Sequence, residues 1–281
     1  MIAVLLGVVV GFGAVRLIML GAPDLVRAPA LARGNHRGAV LSTAGGLLVV
    51  LAVVLVEGAR VSLGAIGVGG EPGLDGTRQL VLFACVGFGM LGLVDDVLAS
   101  GEERGFGGHL RALTHGRVTT GLVKLVGGGA LALVIASAPG PEGRLWLLAD
   151  AALIALAANL GNLLDRAPGR ALKAGLVAWI PLMVFAGGDA LGVAIAPVMG
   201  AFLATMPDDL GERLMLGDAG ANVLGAVLGL GVVLETGPTT RLVTLAVLVA
   251  LNLASERVSF SRVIDRVAFL RRFDELGRGR F

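Results

Sequence analysis

Apolar residues run in long blocks along this chain, and the polar residues fall mostly between the blocks. Nine blocks read as membrane-spanning helices, at about 1–21, 39–57, 79–98, 118–138, 144–163, 172–187, 189–206, 219–235 and 240–256. A hydrocarbon core about 30 Å thick takes roughly 20 apolar residues of helix to cross, so several blocks sit at the short end of that range. Only Gly187-Gly188-Asp189 separates the sixth block from the seventh, which leaves a hairpin and a re-entrant pair both open. The first block has no basic stretch ahead of it and is interrupted by Arg16, so it reads as a retained span and not as a cleaved signal. The glycine-rich stretch 64–76 reads as a loop on the outer side, with room for short extended structure.

From Ser255 onward the pattern changes. Val258, Ile264, Val267, Leu270 and Phe273 alternate at helical spacing with Arg262, Arg266 and Arg272. That is the pattern of a basic amphipathic helix lying on an anionic leaflet. The chain therefore divides into a transmembrane domain, 1–256, and a basic amphipathic tail, 257–281. The predicted fold is an all-α integral membrane protein, a polytopic bundle of about nine transmembrane helices.

Composition agrees with this reading. The chain is 56% hydrophobic and 16% charged, against about 25% charged in a soluble domain. Its 45 glycines would weaken helices in water, but small residues are common where helices meet in lipid. A net charge of +2 supplies no strong field for nucleic acid, and none is expected as a partner. One cysteine, Cys85, excludes an intrachain disulfide and a multi-cysteine metal cluster. With the N-terminus outside, the inner segments hold 18 of the 23 Lys and Arg residues; the outer segments hold Arg60, Arg78, Arg144 and Arg241, and Arg16 lies within the first span. The positive-inside rule then puts the N-terminus outside and the C-terminus in the cytoplasm.

Under that topology the chemistry-bearing motifs gather on the inner face. Gly92-Leu93-Val94-Asp95-Asp96 ends the third span with two carboxylates that cannot stay bare in hydrocarbon. Adjacent residues do not share a helix face, so Asp95 and Asp96 are expected to do different jobs, with a solvated helix end as the plain alternative. Asn159-Leu160-Gly161-Asn162-Leu163-Leu164-Asp165 places Asn159, Asn162 and Asp165 three apart, toward one face, where interhelical hydrogen bonding is the plain alternative. Asp218, in Met215-Leu216-Gly217-Asp218-Ala219-Gly220-Ala221-Asn222, starts the eighth span and follows Pro207-Asp208-Asp209; it suits a helix cap or a hard oxygen ligand for Mg²⁺. Asn35-His36-Arg37-Gly38 leads into Ser42-Thr43-Ala44-Gly45-Gly46, and Gly116-Arg117-Val118-Thr119-Thr120-Gly121 leads to Lys124. Cations beside glycine-rich helix starts suit phosphate, although positive-inside topology alone also supplies them. His36, His109 and His115 all fall on the inner side, with no metal-binding spacing. Carboxylates for a divalent cation beside cations for phosphate suit phosphoryl transfer, where catalysis is mostly positioning and charge neutralisation.

Over about residues 33–225 these motifs resemble, in order, those of the polyprenyl-phosphate N-acetylhexosamine-1-phosphate transferase superfamily, the MraY and WecA type. Arg37-Gly38 through Gly45-Gly46 is similar to its basic segment and Pro-Thr-x-Gly-Gly-like turn. Gly92–Asp96 is similar to its Gly-x-x-Asp-Asp motif, Asn159–Asp165 to its Asn-x-x-Asn-Leu-x-Asp motif, and Gly217–Gly220 to its Gly-Asp-x-Gly motif. The resemblance implies a Mg²⁺-dependent enzyme, with Mn²⁺ as a substitute, in a bacterial inner membrane with its active site toward the cytoplasm. A polyprenyl phosphate would attack the β-phosphorus of a nucleotide sugar, a UDP-amino sugar in the family, for cell envelope glycan synthesis.

By the same resemblance Asp218 is the metal ligand, with Asp95 beside it. Asp95 accepts a proton from the lipid phosphate or orients it, Asp96 supports it, and Lys124 neutralises phosphate charge. Asn162 and Asp165 line the nucleotide-diphosphate site, with Arg37, Asn159, Arg166, Arg170 and Lys173 as further substrate-binding candidates. Membrane lipids are partners throughout, and a homodimer is left open. The chain departs from the family in two places. Arg166-Ala167-Pro168-Gly169 stands where the family reads Gly-x-Asp-Gly, so Pro168 replaces an acid associated with uracil recognition. No histidine follows His115, where the family has a histidine-rich loop for the sugar. The nucleotide and sugar thus stay open. So do two rival readings, a degenerate relative that binds lipid carriers or scaffolds envelope proteins, and a transporter or channel. Transporters place such acids near the midplane, whereas these lie at span ends.

Overall fold

The computed structural model describes residues 1–35, 37–70, 73–98, 119–140 and 143–279. The three histidines and Arg117 lie outside the described residues. The apolar blocks become helices because in lipid every backbone N–H and C=O must be satisfied within its own segment. Along the chain these are α1 (Ile2–Gly21), a short α2 (Pro23–Val26), a 3₁₀ turn (Pro29–Leu31), β1 (Ala32–Gly34), β2 (Val40–Ser42), α3 (Ala44–Ala65) and α4 (Gly76–Leu98). There follow α5 (Thr120–Ser137), α6 (Arg144–Leu164), α7 (Arg170–Ala186), α8 (Ala190–Leu210), α9 (Gly217–Glu235), α10 (Pro238–Ser255), α11 (Phe260–Arg266) and α12 (Ala268–Glu275). Eight of these among the described residues, α1, α3–α6 and α8–α10, are long and apolar enough to cross a membrane. The protein is thus an all-α membrane-spanning bundle. The ninth expected span is α7, 17 residues long and carrying Pro181.

Helix α9 is the axis of the bundle. Its apolar window is 78% buried, against 6% for α10, and α3, α4, α6 and α7 all pack on it. The outer helices turn large apolar side chains such as Leu5, Leu6, Val184 and Leu253 outward, which suits a lipid surround. The close crossings are made by glycine. A side chain at Gly46 would overlap the backbone of Gly220, and one at Gly92 would overlap the backbone of Asp218 and Ala219. The motif glycines therefore set how near α3 and α4 come to the start of α9.

Several boundaries differ from the sequence expectation. Helix α3 runs on to Ala65, past the expected end at 57, because Glu57 and Arg60 are accommodated inside it: Glu57, 4% exposed, is held by Arg78 at 2.6 Å and Arg60 at 3.1 Å. Residues 187–189 form a true turn, with Gly187 at φ 51°, so α7 and α8 are two separate helices. Residues 32–34 and 40–42 pair as two short antiparallel strands, Ala32 opposite Ser42, that the hydropathy pattern did not reveal. The described part of the glycine-rich stretch contains no strand. The tail is not one continuous helix; it breaks at Val267 between α11 and α12.

Candidate functional site

At the end of the bundle where α4, α6 and α8 finish and α3, α5 and α9 begin, a cavity of about 790 Å³ opens. Its walls hold Asp95, Asp96, Asn162, Asp165, Arg166, Asp209 and Asp218, with Arg33, Asn35 and Glu212 at the hairpin side. The buried pairs Glu57–Arg78 and Asp150–Arg241 join parts of the chain expected on the outer side, away from this cavity.

Gly217, at φ +72°, makes the sharp entry into α9 that only glycine tolerates, and Asp218 follows in the first turn. The loop before it is zipped to the start of α3: Met215 N–H donates to Ser42 O at 2.7 Å, and Gly45 and Gly46 N–H donate to Met215 O and Leu216 O at 3.1 and 2.8 Å. Asp96 holds the same helix start from α4. Its two oxygens accept the backbone N–H groups of Asp218 and Ala219, each at 3.0 Å. These are among the amides a helix start leaves unpaired, and the positive end of the helix dipole favours a carboxylate there. Asp96 is thereby placed to position the start of α9, with both oxygens accepting backbone N–H groups.

Asp95 points elsewhere, as its place on the helix requires. The Lys124 ammonium donates to Asp218 Oδ2 and lies 3.6 Å from Asp95 Oδ2, so one cation bridges the two carboxylates. Lys124 comes from the first turns of α5, which Thr119 caps by accepting the Leu122 N–H at 3.2 Å. Asn162 lines the same wall; its Nδ2 is buried and makes no well-formed hydrogen bond among the described residues.

Asp165 ends α6 and is pushed well above the usual carboxylate range, first by burial and then by the charges of Asp209, Asp218 and Asp96; the Gly217 N–H works in the opposite direction. Mutually repelling acids around one cavity store a demand for positive charge. Asp209, on α8, accepts Gly169 N–H at 2.6 Å and Leu216 N–H at 3.2 Å, tying the loop after α6 to the loop before α9. Glu212, the one non-glycine described residue at positive φ (48°), accepts Asn35 Nδ2 at 2.7 Å and pairs with Arg37 at 3.0 Å, latching the hairpin to the opposite wall.

The structure brings Asp95, Asp96, Asn162, Asp165, Arg166 and Asp218 to one cavity, with Lys124 bonded to its acids. It does not bring Asn159, Arg170 or Lys173 there. Asn159 Nδ2 donates to Asn252 Oδ1 on α10 at 2.6 Å. Three residues along a helix turn through about 300°, so Asn159 and Asn162 point about 60° apart and meet different neighbours. Arg170 and Lys173 are 6% and 5% exposed and are engaged by the tail, because α7 starts under α12 and not over the cavity. Arg37 sits at the rim on Glu212 with half its side chain exposed.

Sequence reasoning named Asp209 only as a flank of the Asp218 motif and gave Arg33, Asn35 and Glu212 no role; their one signal was adjacency to motifs, since no helical period links them. Among the described residues no three His, Cys, Asp or Glu side chains are arranged to hold a metal ion by themselves. Mg²⁺ does not need three: it keeps several waters and takes one or two carboxylates plus substrate phosphates. The donor set fits such an ion, because a positive charge already bridges Asp95 and Asp218 and the neighbouring acids call for more. Comparison with models of known protein families and with curated protein sequences finds no match.

Proposed function

We propose that this cavity transfers a sugar-1-phosphate from a nucleotide sugar to a polyprenyl phosphate, giving a polyprenyl-diphosphate sugar and a nucleoside monophosphate. The observation that carries the reading is the convergence of Asp95, Asp165 and Asp218 from three distant helices on one cavity, with Lys124 between two of them. This is a place for oxyanions and a divalent cation, not for apolar cargo. Asp218 and Asp95 would hold Mg²⁺, or Mn²⁺ in its place, which when bound supplies positive charge to the diphosphate.

The chain's own groups do the rest. Asp95 takes a proton from the lipid phosphate, or orients it, so that a phosphate oxygen attacks the β-phosphorus. The bond from that phosphorus to the nucleoside monophosphate breaks, and the charge leaves on that product. Lys124 moves from the carboxylates to the phosphates as they arrive. Arg166, exposed on the cavity wall, holds the diphosphate, and Asn162 offers its amide to the nucleotide side. The surrounding lipid brings the polyprenyl chain to the same end of the bundle. The distribution of Lys and Arg supports a cytoplasmic orientation for that end, the side where nucleotide-activated donors are made, and the resemblance to the transferase family supports a bacterial inner membrane.

The test uses purified protein in detergent with polyprenyl phosphate and a panel of UDP-, dTDP- and GDP-sugars, reading nucleoside monophosphate release. Wild type releases it with at least one donor only when Mg²⁺ or Mn²⁺ is present. Asp95→Asn and Asp218→Asn lower the rate at least ~10²-fold. Wild-type rates from either variant overturn the assigned roles.

A second reading has one observation in its favour. Lys124 gives Asp95 and Asp218 a counter-charge from the chain itself, which suits a non-catalytic protein that binds a lipid carrier. That protein would show no release with any donor and no metal-dependent rise in melting temperature.

A further inference from the structure

The tail comes back to the loop at the wall of the cavity, and although most of it is exposed, one of its carboxylates is buried there. Asp274, on α12, is 5% exposed although only seven residues from the end of the chain. Arg170 grips it in a two-pronged pair, Nε to Oδ1 and Nη2 to Oδ2, both 2.8 Å, across 104 residues of sequence. The third arm of Arg170 donates to Ser261 Oγ at 2.8 Å, so the guanidinium ties both tail helices to the first turn of α7. Lys173 Nζ donates to the backbone oxygens of Asp274 and Leu276 and lies 5.9 Å from the centre of the Phe273 ring. Arg278 lies 2.6 Å from Asp274 Oδ2, and its Nε donates to Pro168 O at 3.1 Å.

Pro168 belongs to the loop 165–169, which connects α6 to α7 and supplies Asp165, Arg166, Ala167 and Pro168 to the cavity. Beyond its own turns and the Gly217 N–H on Asp165, this loop is held from two sides. On one side Asp209 accepts the Gly169 N–H. On the other Arg278 donates to the Pro168 carbonyl, and Arg170 begins the next helix. The two sides come together near Leu210: a side chain at Gly169 would overlap it, and one at Gly277 would come to 3.3 Å from it. A buried ion pair adds little net stability over an apolar pair of the same size, but a two-pronged pair admits one geometry. Losing one partner leaves the other charge buried and unpaired, so the neighbouring backbone must move.

We propose that Asp274 is a positioning residue for the cavity: through Arg170 and Arg278 the tail fixes the wall formed by residues 165–169. The nucleotide side of the site is then shaped by a segment more than a hundred residues away. The loop itself carries Pro168, which has no N–H and no charge to anchor it. The effect on catalysis rests on the reading of the cavity as a phosphosugar-transfer site, whereas the effect on the loop does not.

The experiment is amide hydrogen exchange on the full-length protein in detergent, comparing wild type with Asp274→Asn and Asp274→Glu. In Asp274→Asn, exchange across 165–170 rises about tenfold while α9 is unchanged, and Asp274→Glu, which keeps the charge, restores most of the protection. If Asp274→Asn does not fold, Arg278→Ala removes the Pro168 contact and one of the two cations on Asp274, leaves the Arg170 pair in place, and raises exchange in the same loop by a smaller factor. Unchanged exchange at 165–170, or an equal rise throughout the bundle, overturns the proposal. With a donor that the wild type turns over, Asp274→Asn raises KM about tenfold with kcat nearly unchanged; a fall in kcat at constant KM overturns the positioning role. A wild type that turns over no donor sinks the phosphosugar reading and leaves the exchange result to judge the strap.

Discussion

Two backbone amides at the start of α9 have Asp96 as their acceptor, and this makes Asp96 a more sensitive test of the architecture than its motif partner. Asp96→Ala leaves both donors facing a buried, acid-rich wall and costs ~1–3 kcal/mol of stability for the unpaired groups. Asp96→Asn keeps an acceptor for one amide but turns an N–H₂ toward the other, and falls between. Asp95→Asn is different, because Asp95 meets Lys124 and not backbone. It leaves thermal stability close to wild type and removes activity. Melting temperatures of the two variants, side by side with their rates of nucleoside monophosphate release, separate a residue that builds the site from one that works in it. The chain announces this division of labour in outline: two adjacent carboxylates on a helix point apart, so one duty for both was never available. What it does not announce is which of the two meets the backbone, since that depends on how closely α4 crosses α9.

The crossing is set by glycine. At Gly92 even a methyl group would strike the backbone of Asp218 and Ala219. Gly92→Leu therefore pushes α4 away from α9, costs ~1–3 kcal/mol as overpacking and separates Asp96 from the amides it holds. Gly129→Ala on α5, with nothing within 4 Å of the added methyl, is the control and leaves the melting temperature equal to wild type or slightly higher. Of the nine blocks in the hydropathy pattern, eight correspond to helices with the length and apolarity of membrane spans and one to the 17-residue α7. Such blocks are legible because lipid forbids any polar interruption that has no partner. The misjudged boundary at Glu57 has the converse cause: Arg78 and Arg60 satisfy the charge, and pairing across 21 residues carries no periodic signal. The paired strands at 32–34 and 40–42 were hidden for a related reason. Three-residue strands have no period, and the connection between them is held by Glu212 from across the cavity, through Asn35 and Arg37. In the candidate site, the motifs contain Asp95, Asp165 and Asp218, which the structure brings to one cavity, whereas Asn159, from the same motif as Asp165, and Arg170 and Lys173, named by the same resemblance, are sent elsewhere by packing.

At the scale of the whole molecule, the protein is a lipid-embedded bundle with a polar, acid-lined end, and a tail that closes on that end. Burial pushes the Asp274 carboxyl upward, but the hydrogen bonds and charge of Arg170 and the charge of Arg278 more than offset it, so its net position is below the usual carboxylate value. A carboxyl depressed in the folded protein contributes stability that is fully present above its unfolded value of about 3.9, and that contribution is lost as pH falls through the folded value. The difference in melting temperature between wild type and Asp274→Asn is therefore constant above about pH 5 and shrinks below about pH 4. A difference that instead grew as pH fell would show that the tail is not held by this carboxylate.

The central claim is that carboxylates from α4, α6 and α9 surround one site for a divalent cation and a diphosphate. Mn²⁺ titration of the full-length protein by electron paramagnetic resonance tests it most directly. The account predicts one Mn²⁺ per chain in the presence of a nucleoside diphosphate, lost in Asp218→Asn and kept in Asp150→Asn, whose carboxylate pairs with Arg241 away from the cavity. Equal Mn²⁺ binding by wild type and Asp218→Asn would contradict it.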